Sequence, residues 1–292
     1  MTGSTEPVAP GTPVPEPAVV VRWNSFGASA LGGTHRLSGQ PNQDSFLVTA
    51  VNDAAVLVVA DGHGSGASFR SDRGSKIATT TGRWLADRLL EAAVTMVDPA
   101  GQLGGVLPTL LAQMVERWQE AVRVDHDLDP IDWSDEGLSP DAATDADLLR
   151  AYGSTFLLGL LSDTFAVFAQ IGDGDLVMRS SSGTTSKAVA GDERLIANET
   201  TSLCHVAVER DARCSVVDLT TEPLDLVLLA TDGYGNAFEE EDWATGVADD
   251  LVDLAGAEGL TWVADNLPSW AEDAALIAGD DVTVVVAFAQ LR

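Results

Sequence analysis

Apolar residues fall along this chain in short unbroken runs that stop at acidic or glycine-rich turns, and less often at helical spacing. The run at 56–60 (VLVVA) ends abruptly at Asp61-Gly62 and predicts a strand buried on both faces. Upstream, VVVRW from position 19 and the stretch 25–30 read as extended segments, followed by a polar, Gly-rich loop that closes at Asp44. A strand at 46–51 and a turn at Asn52-Asp53 lead into the 56–60 run. Ser71 reads as an N-cap with Asp72 in the first turn, and Ile77, Trp84, Leu85, Leu89 and Ala92 then recur at helical spacing, predicting a helix over 72–97. A second helix is expected over 106–124, with Pro108 near its first turn.

Residues 125–147 are acidic, broken by Pro and Gly, and predict an exposed loop. Period-two and apolar runs resume at 155–161 and 164–171 around Ser162-Asp163, a hairpin signature. Shorter strands are expected at 176–179 and 187–190, a polar loop at 191–202, alternation at 204–208 and a buried run at 224–230. Helices over 243–254 and 260–277 follow, the second interrupted or kinked at Pro268, and a strand at 282–289 closes the chain. Strands in hairpin succession with helices grouped in blocks indicate α+β rather than alternating βαβ.

Composition alters this outline at the N-terminus and limits the partners. Residues 1–18 are Pro-rich with almost nothing to bury and are expected to be a disordered tail, leaving 19–292 as the folded domain. A net charge of -29 argues against nucleic acids and anionic membranes as partners. No apolar run has the length of a membrane span and no secretion signal opens the chain, so a soluble, cytoplasmic protein is expected. Cys204 and Cys214 are the only cysteines and form no disulfide framework; they read as buried or idle thiols.

The candidate chemistry is carboxylate. Asp61, Asp173 and Asp232 each follow an apolar strand and precede Gly, while Asp280 and Asp44 each stand just ahead of one. A single Asp-Gly is ordinarily a turn. Several acids at strand ends can converge on one end of a sheet, where they repel unless hard divalent cations with a preference for oxygen neutralise them. No thiol or histidine cluster competes, which argues against zinc.

The order of these pieces resembles the PPM/PP2C family of metal-dependent protein serine/threonine phosphatases. PNQD at 41–44, VADGHGSG at 59–66, GSTF at 153–156, IGDGD at 171–175, ATDG at 230–233 and DDVTVVV at 280–286 run in family order, and ANETTSL at 197–203 is similar to the bacterial branch. The resemblance implies a β-sandwich of two antiparallel sheets flanked by helices, with two Mn or Mg ions in a cleft at one end. Asp61 would bridge both metals, Gly62 would offer its carbonyl oxygen, Asp232 and Asp280 would bind one metal, and Asp44 would act at or just behind the site. Water would attack the phosphate in line, without a phosphoenzyme. His63 matches a histidine proposed as general acid to the leaving hydroxyl, a structural role being the other reading. A phosphorylated protein substrate and a cognate Ser/Thr kinase are the implied partners.

The chain departs from the family pattern in three places. Gln43 stands where many members have Glu. The phosphate-binding Arg would fall at Gly39, leaving Arg36 or His35 to serve, with Arg the better bidentate ligand. The Asp that supports a third metal in some members has no counterpart, since Arg150 stands in register and Asp147 lies further upstream. These departures also fit a catalytically weak or inactive regulator that keeps the fold. A dinucleotide fingerprint at 62–67 lacks βαβ alternation, Ser65 lacks a nucleophile elbow, and GDGD at 172–175 lacks the remaining spacing of a calcium loop. Arg70, Arg73 and Lys76 read as solvated residues opening a helix, or as a docking surface.

Overall fold

The computed structural model describes residues 21–134, 142–191, 200–240 and 242–291. The Pro-rich segment 1–18 and residues 192–199 of the expected polar loop lie outside the described residues. Two five-stranded antiparallel sheets form the centre. One contains β1 (Val21–Ala30), β10 (Val282–Leu291), β9 (Leu224–Ala230), β6 (Asp175–Ser180) and β7 (Thr185–Lys187), in that order. The other contains β2 (Ser45–Val51), β3 (Ala54–Ala60), β4 (Phe156–Leu161), β5 (Phe165–Ile171) and β8 (Arg213–Asp218).

The reason for a sandwich is visible in β3, which is buried along its whole length. Ala55, Leu57 and Val59 face the other sheet, where they meet Leu229, Val285 and Ala287. Val56, Val58 and Ala60 face the opposite way, into a core with Leu85, Leu89 and Trp118. Those residues belong to α2 (Ser71–Val94) and α3 (Pro99–Leu128), which cover that sheet. The outer face of the first sheet is covered by α6 (Trp243–Ala257) and α7 (Leu260–Ala278), which follow the single turn α5 (Asp232–Gly235), through Leu251, Val263, Leu267 and Ala271. Strands buried on both faces and helices buried on one are what a layered α+β fold demands of the sequence.

Several elements differ from expectation. The two extended stretches near the start are one strand, β1. The Gly-rich loop before Asp44 contains a short helix, α1 (Gly33–Ser38), ended by Gly39 in the left-handed region at φ 73°. Ser71 is the first helical residue rather than the cap, and its buried hydroxyl has no partner. The third helix begins at Pro99, capped by Asp98, whose side chain accepts from Gly101 N, so Pro108 is internal. Inside the expected acidic loop lies α4 (Asp145–Ala151), closed by a Thr144–Asp147 capping box. Pro268 sits within a helix that is continuous from Leu260 to Ala278. The expected alternation at 204–208 forms no strand; β8 follows it instead.

The basic residues that open α2 are ion-paired. Arg73 reaches Asp125 at 3.0 Å and Asp129 at 2.6 Å, and Lys76 reaches Asp72 at 3.0 Å. Arg70 Nη1 donates to the Tyr152 hydroxyl at 2.8 Å, which donates to Asp125 at 2.7 Å. Among the described residues, no helix is long and apolar enough to cross a membrane.

Candidate functional site

Strand register brings the acids to one end of the sandwich. Ser45 pairs with Ala60, so Asp44 and Asp61 project from neighbouring strand ends of one sheet. In the other sheet Ala230 pairs with both Val284 and Asp175, which sets Asp232, Asp280 and Asp281 together. Asp173 enters by the turn from β5 to β6. A cleft of about 1110 Å³ opens there, lined by Asp61, Asp173, Asp232 and Asp280 together with His63 and Arg150.

The backbone around these acids is tied by specific bonds. Asp61 N donates to Thr155 Oγ1 at 2.9 Å, and Thr155 N donates back to the Asp61 carbonyl at 2.8 Å. Gly62 N donates to Gln43 O at 3.2 Å. A Cβ at Gly62 would lie 2.6 Å from both the Gln43 and Ser71 carbonyl oxygens, so only glycine fits this crossing. Asp281 is the hub. Its Oδ1 accepts from Gly32 N at 2.7 Å, and its Oδ2 accepts from Gln43 N at 2.7 Å and lies 2.9 Å from His35 Nδ1. Thr231 donates its hydroxyl to Asp44 Oδ2 at 2.9 Å, joining the two sheets' strand ends.

The electrostatics are those of acids forced together. Burial pushes the Asp44 carboxyl up to about 7; the Thr283 and Thr231 hydroxyls oppose this, and Asp281 and Asp232 add to it. Asp61 is raised well above the ordinary carboxylate range by burial, then by Asp44, Asp232 and Asp280. Asp232 is raised by burial and by Asp173. Burial lowers the proton affinity of His63, Asp173 raises it and His205 lowers it further.

These residues fit hard divalent cations. Asp44 Oδ1 and Gln43 Oε1 are buried with no hydrogen-bond partner, oxygens that a cation or its water would satisfy. The donor set is oxygen throughout, and the mutual repulsion is of the kind that only positive charge relieves. Among the described residues no three His, Cys, Asp or Glu side chains stand close enough together to hold an ion by themselves.

The expected site residues are placed unequally. Asp61, Gly62, His63, Asp232 and Asp280 line the cleft, and Asp44 is buried behind it. Arg36 is exposed on α1, with Nη2 donating to the Leu31 carbonyl at 3.5 Å, and is not among the lining residues; its neighbour His35 is. Asp281 was not singled out by sequence reasoning, although its place beside Asp280 ahead of a strand was the available signal. Arg150 registered only as a missing acid.

The protein phosphatase 2C family model matches residues 31–270. Among solved structures, the chain is similar to PppA, described as a key regulatory component of T6SS in Pseudomonas aeruginosa, at 20% identity and TM-score 0.57, covering 93% of this chain and 100% of that one. The catalytic domain of the serine/threonine protein phosphatase PstP, in complex with 2 manganese ions, is 20% identical with TM-score 0.53 over 93% of this chain and 99% of that one. The serine/threonine phosphatase Stp1 of Staphylococcus aureus is 16% identical with TM-score 0.56 over 96% and 99%. No curated protein matches. These likenesses establish the shared fold, and with the family match running over most of its length, the chain belongs to the protein phosphatase 2C family.

Proposed function

We propose that this chain is a metal-dependent protein serine/threonine phosphatase that hydrolyses phosphoserine and phosphothreonine in cytoplasmic proteins phosphorylated by a Ser/Thr kinase. The observation that carries this reading is the convergence of Asp61, Asp232 and Asp280 on one cleft, with Asp44 buried behind them and one of its oxygens left without a partner. Asp61, Asp232, Asp280 and the Gly62 carbonyl would hold Mn or Mg, with Asp44 supporting them from beneath. Bound there, the two cations would neutralise the acids, polarise the phosphoryl group and lower the pKa of water.

The chain's own residues supply the rest. Strand ends fix the acids on rigid elements, and Asp281 holds the Gln43–Asp44 backbone against the start of β10. His63 lies on the cleft wall, its amide donating to Gly153 O at 3.0 Å. Burial lowers its proton affinity while Asp173 raises it, so Asp173 is the group that would favour the protonated ring needed to protonate the departing serine or threonine oxygen. Release of phosphate from a phosphothreonine peptide during Mn titration, abolished by chelator, tests the reading. A folded sample that binds Mn without turnover would instead support a regulatory binding protein, the reading favoured by Gln43 and by Arg36 lying away from the cleft.

A further inference from the structure

Among the described residues, the acidic cleft carries one guanidinium. Among its described lining residues Arg150 is the only arginine or lysine, against six aspartates. Arg150 stands in the last turn of α4, and its carbonyl accepts from Gly153 N at 3.0 Å. A Cβ on Gly153 would approach Arg150 O to 3.2 Å and His63 Cδ2 to 2.7 Å, so the backbone beneath this guanidinium and the His63 ring share one wall. Its ion pair with Asp147 is loose at 3.7 Å and its side chain is 60% exposed, which leaves donors of the fork for a ligand. Its charge is also felt at the thiol of Cys204, another lining residue.

We propose that Arg150 binds the phosphoryl oxygens of the substrate at the rim of this cleft. The proposal rests on the phosphatase reading for its substrate class, a phosphoserine or phosphothreonine dianion. Two divalent cations would offset only part of the charge of the six lining aspartates, and Arg150 would add the fixed positive charge that meets an approaching dianion at the rim. A planar guanidinium matches two phosphoryl oxygens at once, and its pKa keeps it charged at any working pH.

The test compares Mn-loaded wild type, Arg150→Ala, Arg150→Lys and Arg36→Ala. Hydrolysis of p-nitrophenyl phosphate and of a phosphothreonine peptide is followed, and binding of inorganic phosphate is measured by calorimetry. Arg150→Ala is expected to raise KM roughly tenfold on both substrates with kcat within about twofold, the weight of one partly exposed charge-assisted contact. Phosphate binding should weaken by a similar factor, and Arg150→Lys should recover part of both. A KM rise confined to the peptide would mean that Arg150 reads flanking residues, and would overturn the assignment. So would unaltered phosphate binding in Arg150→Ala, or a KM rise in Arg36→Ala alone. Were wild type to release no phosphate from either substrate, the phosphatase reading would fall, while phosphate calorimetry would still decide the role of Arg150.

Discussion

Nδ1 of His35 and Oδ2 of Asp281 lie 2.9 Å apart, joining a short helix near the N-terminus to the last strand across 246 residues. Both side chains are buried, and the same carboxylate accepts from Gly32 N and Gln43 N. Asp281→Ala strands two backbone donors and an imidazole, and is expected to lower stability by about 3 kcal/mol in urea unfolding. Because Gln43 also receives Gly62 N, Mn affinity should fall on the order of tenfold in the same variant. Unchanged metal affinity would show that Asp281 supports the fold alone.

A close approach of backbones holds α2 against the segment that follows α4. A Cβ on Gly74 would sit 1.7 Å from the Tyr152 carbonyl oxygen, and α2 cannot retreat without breaking the bond from Trp118 Nε1 to Gly74 O at 3.0 Å. Gly74→Ala is therefore expected to cost more than about 2 kcal/mol, although alanine is the better helix former. Thermal unfolding checks it, and a neutral result would mean that the Tyr152–Gly153 segment yields freely.

The acids at the ends of β3 and β9 were legible because the same plan, an apolar run followed by Asp-Gly, recurs along the chain although each instance alone reads as a turn, and the two sheets followed from the same runs. Elements without such runs were not legible. The first helix lies between glycines with no apolar stripe, β8 is a sheet-edge strand of mixed character (RCSVVD), and α4 is signalled only by its capping box. Asp98-Pro99 was an available start signal for α3, overshadowed by the more central Pro108. Arg36 and Arg150 show the remaining limit. One stands in a Gly-rich stretch and the other beside the buried Leu148, Leu149 and Ala151, and only tertiary placement separates the one on the cleft from the one off it.

Removing a carboxylate from the cluster should have opposite effects on metal and on fold. Asp61 is raised by burial and by Asp44, Asp232 and Asp280, so Asp61→Asn relieves repulsion in the metal-free protein. Its Tm in chelator should rise, by the equivalent of about 1 kcal/mol, while Mn affinity and phosphatase activity fall on the order of 100-fold. Asp232→Asn should behave alike for the same reason. Full activity in either variant would remove that residue from the metal site.

Metal removal should make stability depend on pH in an unusual direction. Burial and neighbouring acids push the Asp44 carboxyl up to about 7 from a reference of 3.8, and Asp61 and Asp232 are raised as well. Between those values the folded chain holds protons that the unfolded chain has released. Stability of the chelated protein must then fall as pH rises through this window, by at most about 1.4 kcal/mol per pH unit for each proton. Cations displace the protons and abolish the slope, so Tm should fall from about pH 5 to about pH 7.5 in chelator and stay nearly level in Mn. Calorimetry at about pH 6 in buffers of different ionisation enthalpy should register proton release on Mn binding. A chelated protein whose Tm is level or rising across that range would mean that these acids are already ionised without metal, and that their crowding is relieved by some other positive charge.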